Sequence, residues 1–352
     1  MKVTFILPST GHYIHGGFKV VYEYANRLVN DGFSVNIVYP LAVTWKRYSL
    51  KYKVKRVFHY SRALLRNTYK PEWFNIDSRI KQIWLPFLSP YFIPKSDCIF
   101  ATGWETAVFL NRYRIDPSKK YYLIQSFEDW CGSREEVAET WKYPMKKIVI
   151  SKWLKDLANE YGEESVLIEN GFDFDAFPLI NSIEDRDRFL TIMLYHESEG
   201  KGSAVGLQAL KIVKTKYSQL QAIFFGTPKE PAGLPEWVSY YRAPPELFKL
   251  YNASSIYLGT SFYEGFGLTV GEAMQCGCAV VCTDNDGYKE MANHAVTALL
   301  SPVGDAESLA QNIVRLIEHD SLRINIARNG YDNIKKYTWE RAYSKLKDLI
   351  ET

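Results

Sequence analysis

Short unbroken apolar runs alternate along this chain with longer stretches whose apolar residues recur at helical spacing. Residues 3–7 form one such run, closed by Pro8, and predict a first strand. A loop carrying Gly11, Gly16 and Gly17 follows. Val20, Val21, Tyr24, Ala25 and Leu28 then fall at helical spacing across residues 20–30, and Gly32 is placed to cap that helix. Residues 35–39 predict a second strand. Strand, loop, helix and strand in that order form the unit from which doubly wound sheets are built.

The same alternation continues. Residues 98–101, 121–124 and 147–150 predict buried strands, and Ser151 is placed to cap a helix over residues 152–161. A strand at 166–169 leads into Asn170-Gly-Phe-Asp-Phe-Asp-Ala-Phe177, which has the character of a linker. A second series follows: strands at 189–195, 222–225, 255–258 and 279–283, with helices at 206–214, 245–251, 268–276 and 306–317. Residues 338–350 predict a last helix, capped by Thr338. The expected fold is α/β: two Rossmann-like, doubly wound domains facing a cleft. Their expected bounds are 1–175 and 176–336, with residues 337–352 forming a helix that crosses back to the first domain.

Composition narrows the class. The chain has 352 residues, 47% of them hydrophobic, which suits two domains that each bury a core. Its five cysteines are sparse and odd in number, so no disulfide framework is expected and a reducing cytosol fits. The apolar run near Met1 is too short for a signal peptide, and no run is long enough to span a membrane. The net charge of +3 hides an asymmetry. Residues 1–170 carry 25 Lys/Arg against 17 Asp/Glu, whereas the remainder carries 18 against 23. Only the first half is therefore expected to meet an anionic surface.

The strongest chemical signal is Glu264-Gly-Phe-Gly-Leu-Thr-Val-Gly-Glu272. Two carboxylates stand either side of a glycine turn that opens a helix. A helix start offers unpaired N–H groups and the positive end of a dipole. Anionic ligand groups fit there, and the carboxylates can accept hydrogen bonds from flanking hydroxyls. A nucleotide-sugar has those parts in that order. The bland alternative is a capped helix whose carboxylates only offset its dipole.

Lys201, in His196-Glu-Ser-Glu-Gly-Lys-Gly202, lies between a strand and a helix. It is placed to neutralise charge on a departing diphosphate. Gly16 and Gly17 allow close backbone approach to a ligand ahead of a helix start. Gln125-Ser-Phe-Glu-Asp-Trp130 follows a strand of the first domain, and Glu128 or Asp129 could orient an acceptor hydroxyl or take its proton. Trp104 and Glu105 are weaker candidates of the same kind. Residues 45–70, from Trp45 to Lys70, hold nine Lys/Arg, no Asp or Glu, and interleaved aromatic and leucine side chains. That pattern suits an anionic membrane face. No nucleic-acid-binding motif accompanies it, so nucleic acid is not the expected partner. Asp173-x-Asp175 and Asp284-x-Asp286 are short, common patterns, and no metal site is expected. Cys276, Cys278 and Cys282 occupy or flank an apolar strand and read as buried free thiols.

The run from Glu264 to Glu272 resembles the E-x7-E signature of retaining GT-B glycosyltransferases, in particular glycosyltransferase family 4. The resemblance extends from Met1 to the last helix. It implies a metal-independent transferase that moves a sugar from a nucleotide diphosphate donor to an acceptor hydroxyl with retention, in cell-surface glycan or polysaccharide synthesis. It places Glu264 near the donor sugar, Glu272 on the ribose, and the backbone N–H groups of the turn Gly265, Phe266, Gly267 and Leu268 along the donor. Such enzymes usually carry Arg where this chain has His196, five residues before Lys201. The segment from Gln125 to Glu128 looks like that of rhamnan-type transferases. The expected partners are a nucleotide-sugar, a glycan or lipid-linked acceptor and an anionic membrane surface, at the cytoplasmic side. A nucleotide-sugar epimerase, a non-catalytic partner of an active transferase and a nucleic-acid-binding protein are the competing readings.

Overall fold

The computed structural model describes residues 1–12, 14–43, 58, 61–66, 68–129 and 132–352. The chain divides into two compact units, Met1–Asn170 with Glu340–Thr352, and Gly171–Trp339.

The first unit is built on a seven-stranded parallel sheet. Its strands are β1 (Lys2–Ile6), β2 (Ser34–Pro40), β3 (Lys81–Leu85), β4 (Cys98–Ala101), β5 (Lys120–Ile124), β6 (Lys146–Val149) and β7 (Val166–Leu167), in the order β3-β2-β1-β4-β5-β6-β7. The central strands are buried almost end to end, as parallel strands covered on both faces must be. Helices α1 (Gly16–Asn30), α2 (Trp104–Arg112), α3 (Arg134–Trp141) and α4 (Lys152–Glu160) connect them. Strand β1 pairs with β2 on one side and β4 on the other, so the winding reverses at β1/β4. Loops beyond the carboxyl ends of these strands form the binding crevice in sheets of this kind.

The second unit repeats the scheme with six parallel strands. They are β8 (Leu190–Leu194), β9 (Gln221–Gly226), β10 (Val238–Arg242), β11 (Ile256–Gly259), β12 (Ala279–Thr283) and β13 (Ala298–Ser301), in the order β10-β9-β8-β11-β12-β13. The helices are α5 (Ser203–Lys216), α6 (Leu247–Ala253), α7 (Leu268–Gln275), α8 (Ala306–Glu318) and α9 (Asp320–Ile334). Met193, Leu210, Phe224, Leu258, Val281 and Ile313 lie in its core. Here the winding reverses between β8 and β11. The last helix, α10 (Trp339–Glu351), places Lys345 Nζ 2.7 Å from Glu169 and Lys347 Nζ 2.7 Å from Asp31, within the first unit.

Several expectations are corrected. Gly16 and Gly17 are not in a loop: they are the first two residues of α1. Ser151 stands at the N-cap of α4 with an extended backbone, but its buried hydroxyl makes no capping bond. Strands β3, β10 and β13 and helices α2, α3 and α9 were not among the expected elements. Edge strands such as β10, mostly exposed, gain their identity from pairing rather than from composition. Most of residues 45–70, together with Trp130 and Cys131, fall outside the described residues.

Candidate active site

At the reversal point of the second sheet, the loops after β8 and β11 are bound to each other. Lys201 follows β8 in a short turn (Glu199–Lys201). Its carbonyl accepts from Thr260 Oγ1 at 2.8 Å, and the Gly200 carbonyl accepts from Phe262 N at 2.8 Å. These bonds carry the Lys201 ammonium to the β11 loop, where Nζ lies 2.6 Å from Glu264 Oε1. Ser261 Oγ lies 2.8 Å from the same oxygen. A carboxylate and an ammonium thus stand together at the carboxyl ends of two adjacent strands.

Glu264 is followed by the start of α7. Gly267 precedes the helix with φ +90°, and a methyl there would lie 2.6 Å from the Tyr288 ring, so glycine alone fits. Leu268 and Thr269 are the first two residues of the helix, where backbone amides lack intrahelical acceptors. The Phe266 side chain is buried, stacked on Phe172 at 6.1 Å and edge-on to Tyr337 at 5.8 Å, which anchors the turn. Glu272 is buried in the second turn of α7. Burial, and then the charge of Glu272, pushes up the hydroxyl of Tyr251. Gly265 is half-buried beside Glu264.

His196 is the residue after Tyr195 at the end of β8. Its Nδ1 accepts from Ser198 N at 2.9 Å, and its backbone is clamped both ways by Ser203 Oγ at 2.9 Å. Although the residue retains exposed surface, partial desolvation of the ring and then the charge of Lys201 lower its pKa below the usual histidine value. The imidazole is therefore mostly neutral at pH 7, with its proton on Nε2. It supplies a hydrogen-bond donor rather than a second fixed cation.

In the first unit, β5 ends at Ile124 and Gln125 Nε2 donates to Gly17 O at 3.1 Å. The Gly17 amide is itself engaged, donating to His15 Nδ1 at 3.2 Å. Gly16 is exposed at the helix start. Glu128 Oε2 accepts from the Trp104 amide at 2.7 Å, at the first turn of α2. Sequence reasoning singled out both residues without seeing that one holds the other. Burial raises the Glu128 pKa to about 7, opposed by the Trp104 amide and reinforced by the charge of Glu105. Asp129 is exposed.

Residues that sequence reasoning missed lie in the loop after β12. Asn285 Nδ2 donates to Ser261 O at 2.9 Å, Thr283 Oγ1 donates to the same carbonyl, and Tyr288 covers Gly267. Local sequence carried no signal for them, since this loop adjoins the β11 loop only because β12 pairs with β11. The two D-x-D runs are otherwise occupied: Asp173 caps the amides of Asp175 and Ala176, while Asp284 and Asp286 flank Lys289 Nζ at 3.4 and 3.0 Å. Cys276, Cys278 and Cys282 are buried and free, and burial pushes the Cys278 thiol up to about 12.

This architecture, with paired parallel sheets and a carboxylate–lysine pair at a reversal point, defines an α/β protein of GT-B type. Residues 181–333 match the family model for glycosyl transferases group 1. It is 24% identical over 226 residues to the phosphatidyl-myo-inositol mannosyltransferase of Mycolicibacterium smegmatis, a match covering 59% of this chain and 58% of the relative. Among solved structures, sucrose-phosphate synthase from Thermosynechococcus elongatus superposes with a TM-score of 0.76 at 15% identity, covering 99% of this chain and 98% of that one. Anabaena HepE in complex with UDP-glucose gives 0.74 at 17% identity, covering 100% and 99%. These likenesses to solved structures describe the fold.

Proposed function

We propose that this chain transfers a sugar from a nucleotide diphosphate-sugar to a hydroxyl of a cell-surface glycan or lipid-linked acceptor, with retention of configuration and without a metal. The observation that carries the reading is the Lys201–Glu264 pair at 2.6 Å, set at the reversal point of the second sheet one turn ahead of α7. Lys201 would stabilise the diphosphate as the bond to the sugar breaks, and the α7 amides at Leu268 and Thr269 would face the same group. Glu264 would take the sugar side and Glu272 the ribose hydroxyls. His196, mostly neutral, would donate a hydrogen bond. The departing phosphate would assist attack on the same face.

The first unit would take the acceptor. Glu128, with a pKa near neutrality, is partly ionised at pH 7 and suited to accept the hydroxyl proton. Gly16 and Gly17 would present the α1 start to phosphate. The relative from Mycolicibacterium smegmatis is named a phosphatidyl-myo-inositol mannosyltransferase and HepE is seen with UDP-glucose, which supports a nucleotide-sugar donor. Among the described residues, no helix is long and apolar enough to cross a membrane. Phe58 and Leu65 are exposed by 74% and 86% beside Arg62 and Arg66, which supports peripheral contact with an anionic membrane at its cytoplasmic face.

A donor screen by thermal shift tests the reading, using UDP-, GDP- and dTDP-sugars on wild type and Glu272→Ala. Binding at a hundredfold excess over Kd stabilises by about 2.7 kcal/mol. One nucleotide series should stabilise wild type and not the variant. No response to any donor in a folded protein would favour a non-catalytic partner of an active transferase. Donor turnover without acceptor would favour an epimerase.

A further inference from the structure

We infer that Asn285, outside the E-x7-E run, positions both ends of the donor-binding turn. It fixes Glu264 through Ser261, and the start of α7 through Tyr288. The inference rests on the donor site proposed above.

Asn285 is buried on the loop that follows β12. Its amide nitrogen donates to Ser261 O at 2.9 Å and to Thr283 Oγ1 at 3.2 Å, while its carbonyl accepts from Tyr288 N at 3.0 Å. These bonds fix the amide's orientation, because a flip would set its oxygen against the Ser261 carbonyl. Each bond leads to the turn. Ser261, held at its carbonyl by Asn285 and Thr283, places its hydroxyl 2.8 Å from Glu264 Oε1, the oxygen that also meets Lys201. Tyr288, held at its amide, lies with its ring against Gly267 at the α7 start. Between them, a methyl at Gly287 would approach the Glu264 carbonyl to 2.3 Å, so the two loops run side by side.

Glu264 sits on a loop, where a side chain has few neighbours to fix it. Asparagine suits position 285 in a way aspartate does not. Aspartate would lose the donor to Ser261 O, face that carbonyl with an oxygen, and add negative charge beside Glu264. Asn285 touches no substrate in this scheme and acts through Ser261 and Tyr288.

The test is a double-mutant cycle of Asn285→Asp with Glu264→Gln. The readout is affinity for UDP-glucose and for GDP-mannose by calorimetry. Asn312→Ala is the control: that amide donates to Leu300 O and Ser301 Oγ, away from the turn. Asn285→Asp should weaken binding roughly tenfold in the wild-type background and much less with Glu264→Gln, as residues sharing one network do. Asn312→Ala should not follow that pattern. An equal loss in both backgrounds would mean a general structural role and overturn the inference. Amide hydrogen exchange of the free protein decides the matter independently of any nucleotide. Exchange at residues 261–268 should quicken about tenfold in Asn285→Asp while β11 stays protected. Uniform loss of protection, or none, would refute positioning. Wild type binding neither nucleotide would count against the donor site and leave exchange to judge Asn285.

Discussion

Lys201 Nζ and Glu264 Oε1 lie 2.6 Å apart although 63 residues separate them in the chain. The contact exists because β8 and β11 are hydrogen-bonded neighbours, so the loops at their carboxyl ends must meet. Both side chains retain solvent access, at 32% and 15%, so the pair contributes little to stability and its significance is chemical. Replacing Lys201 by Met should therefore leave the unfolding midpoint within a degree or two. Turnover should fall by about 10² to 10³, the cost of deleting one preorganised donor to developing charge. Initial rates and a melting curve on the same preparation check this. A large loss of stability with unchanged turnover would count against the assigned role.

The raised pKa of Glu128 predicts two pH effects. If it accepts the acceptor's proton, kcat/KM should rise with pH through about 7, and Glu128→Gln should abolish that limb along with most activity. The stability effect has the opposite sense. A carboxyl that holds its proton more tightly folded than unfolded stabilises fully below the unfolded value, near 4.5, and that contribution is lost as pH rises towards 7. Melting temperatures measured from pH 4 to 8 should fall more across this window in wild type than in Glu128→Gln. Parallel curves would show that burial does not perturb this carboxyl.

Gly271 predicts a packing effect on the helix that carries Glu272. A methyl there would lie 2.0 Å from Phe172 Cζ, too close to be absorbed without moving the ring. Gly271→Ala should cost about 1–3 kcal/mol by overpacking, despite alanine's better helix propensity. Phe172→Leu should recover part of that loss, and denaturant unfolding of the two single variants and the double measures it. Additive losses would mean that Phe172 is not the obstacle.

Arg186 should matter to stability without touching the proposed chemistry. It is buried, and its guanidinium donates to Ser254 O at 3.1 Å and Cys276 O at 2.6 Å, the residues that end α6 and α7. A cation at two helix C-termini satisfies carbonyls and opposes both dipoles. Arg186→Met removes the donor of the Cys276 carbonyl, at about 1–3 kcal/mol, and leaves Ser254 O only the weak Cys278 thiol donor. Urea unfolding should register the loss, with nucleotide affinity unchanged at temperatures where the variant stays folded.

Local sequence determined the central elements, because strands buried on both faces are mostly apolar and so read as near-continuous apolar runs. That is why β1, β4, β5, β9 and β12 were legible to within a residue or two, and why Lys201 and Glu264 could be placed between a strand and a helix. Tertiary structure decided what local pattern does not encode. Edge strands such as β3 and β10 exist through pairing. The Phe266 side chain packs on Phe172 and Tyr337, residues far from it in the chain. The bond from the Trp104 amide to Glu128 and the hold of Asn285 on Ser261 each join segments that follow different strands. Sheet order sets such neighbours, and strand order in a parallel sheet is fixed by packing of the whole unit rather than by any one segment.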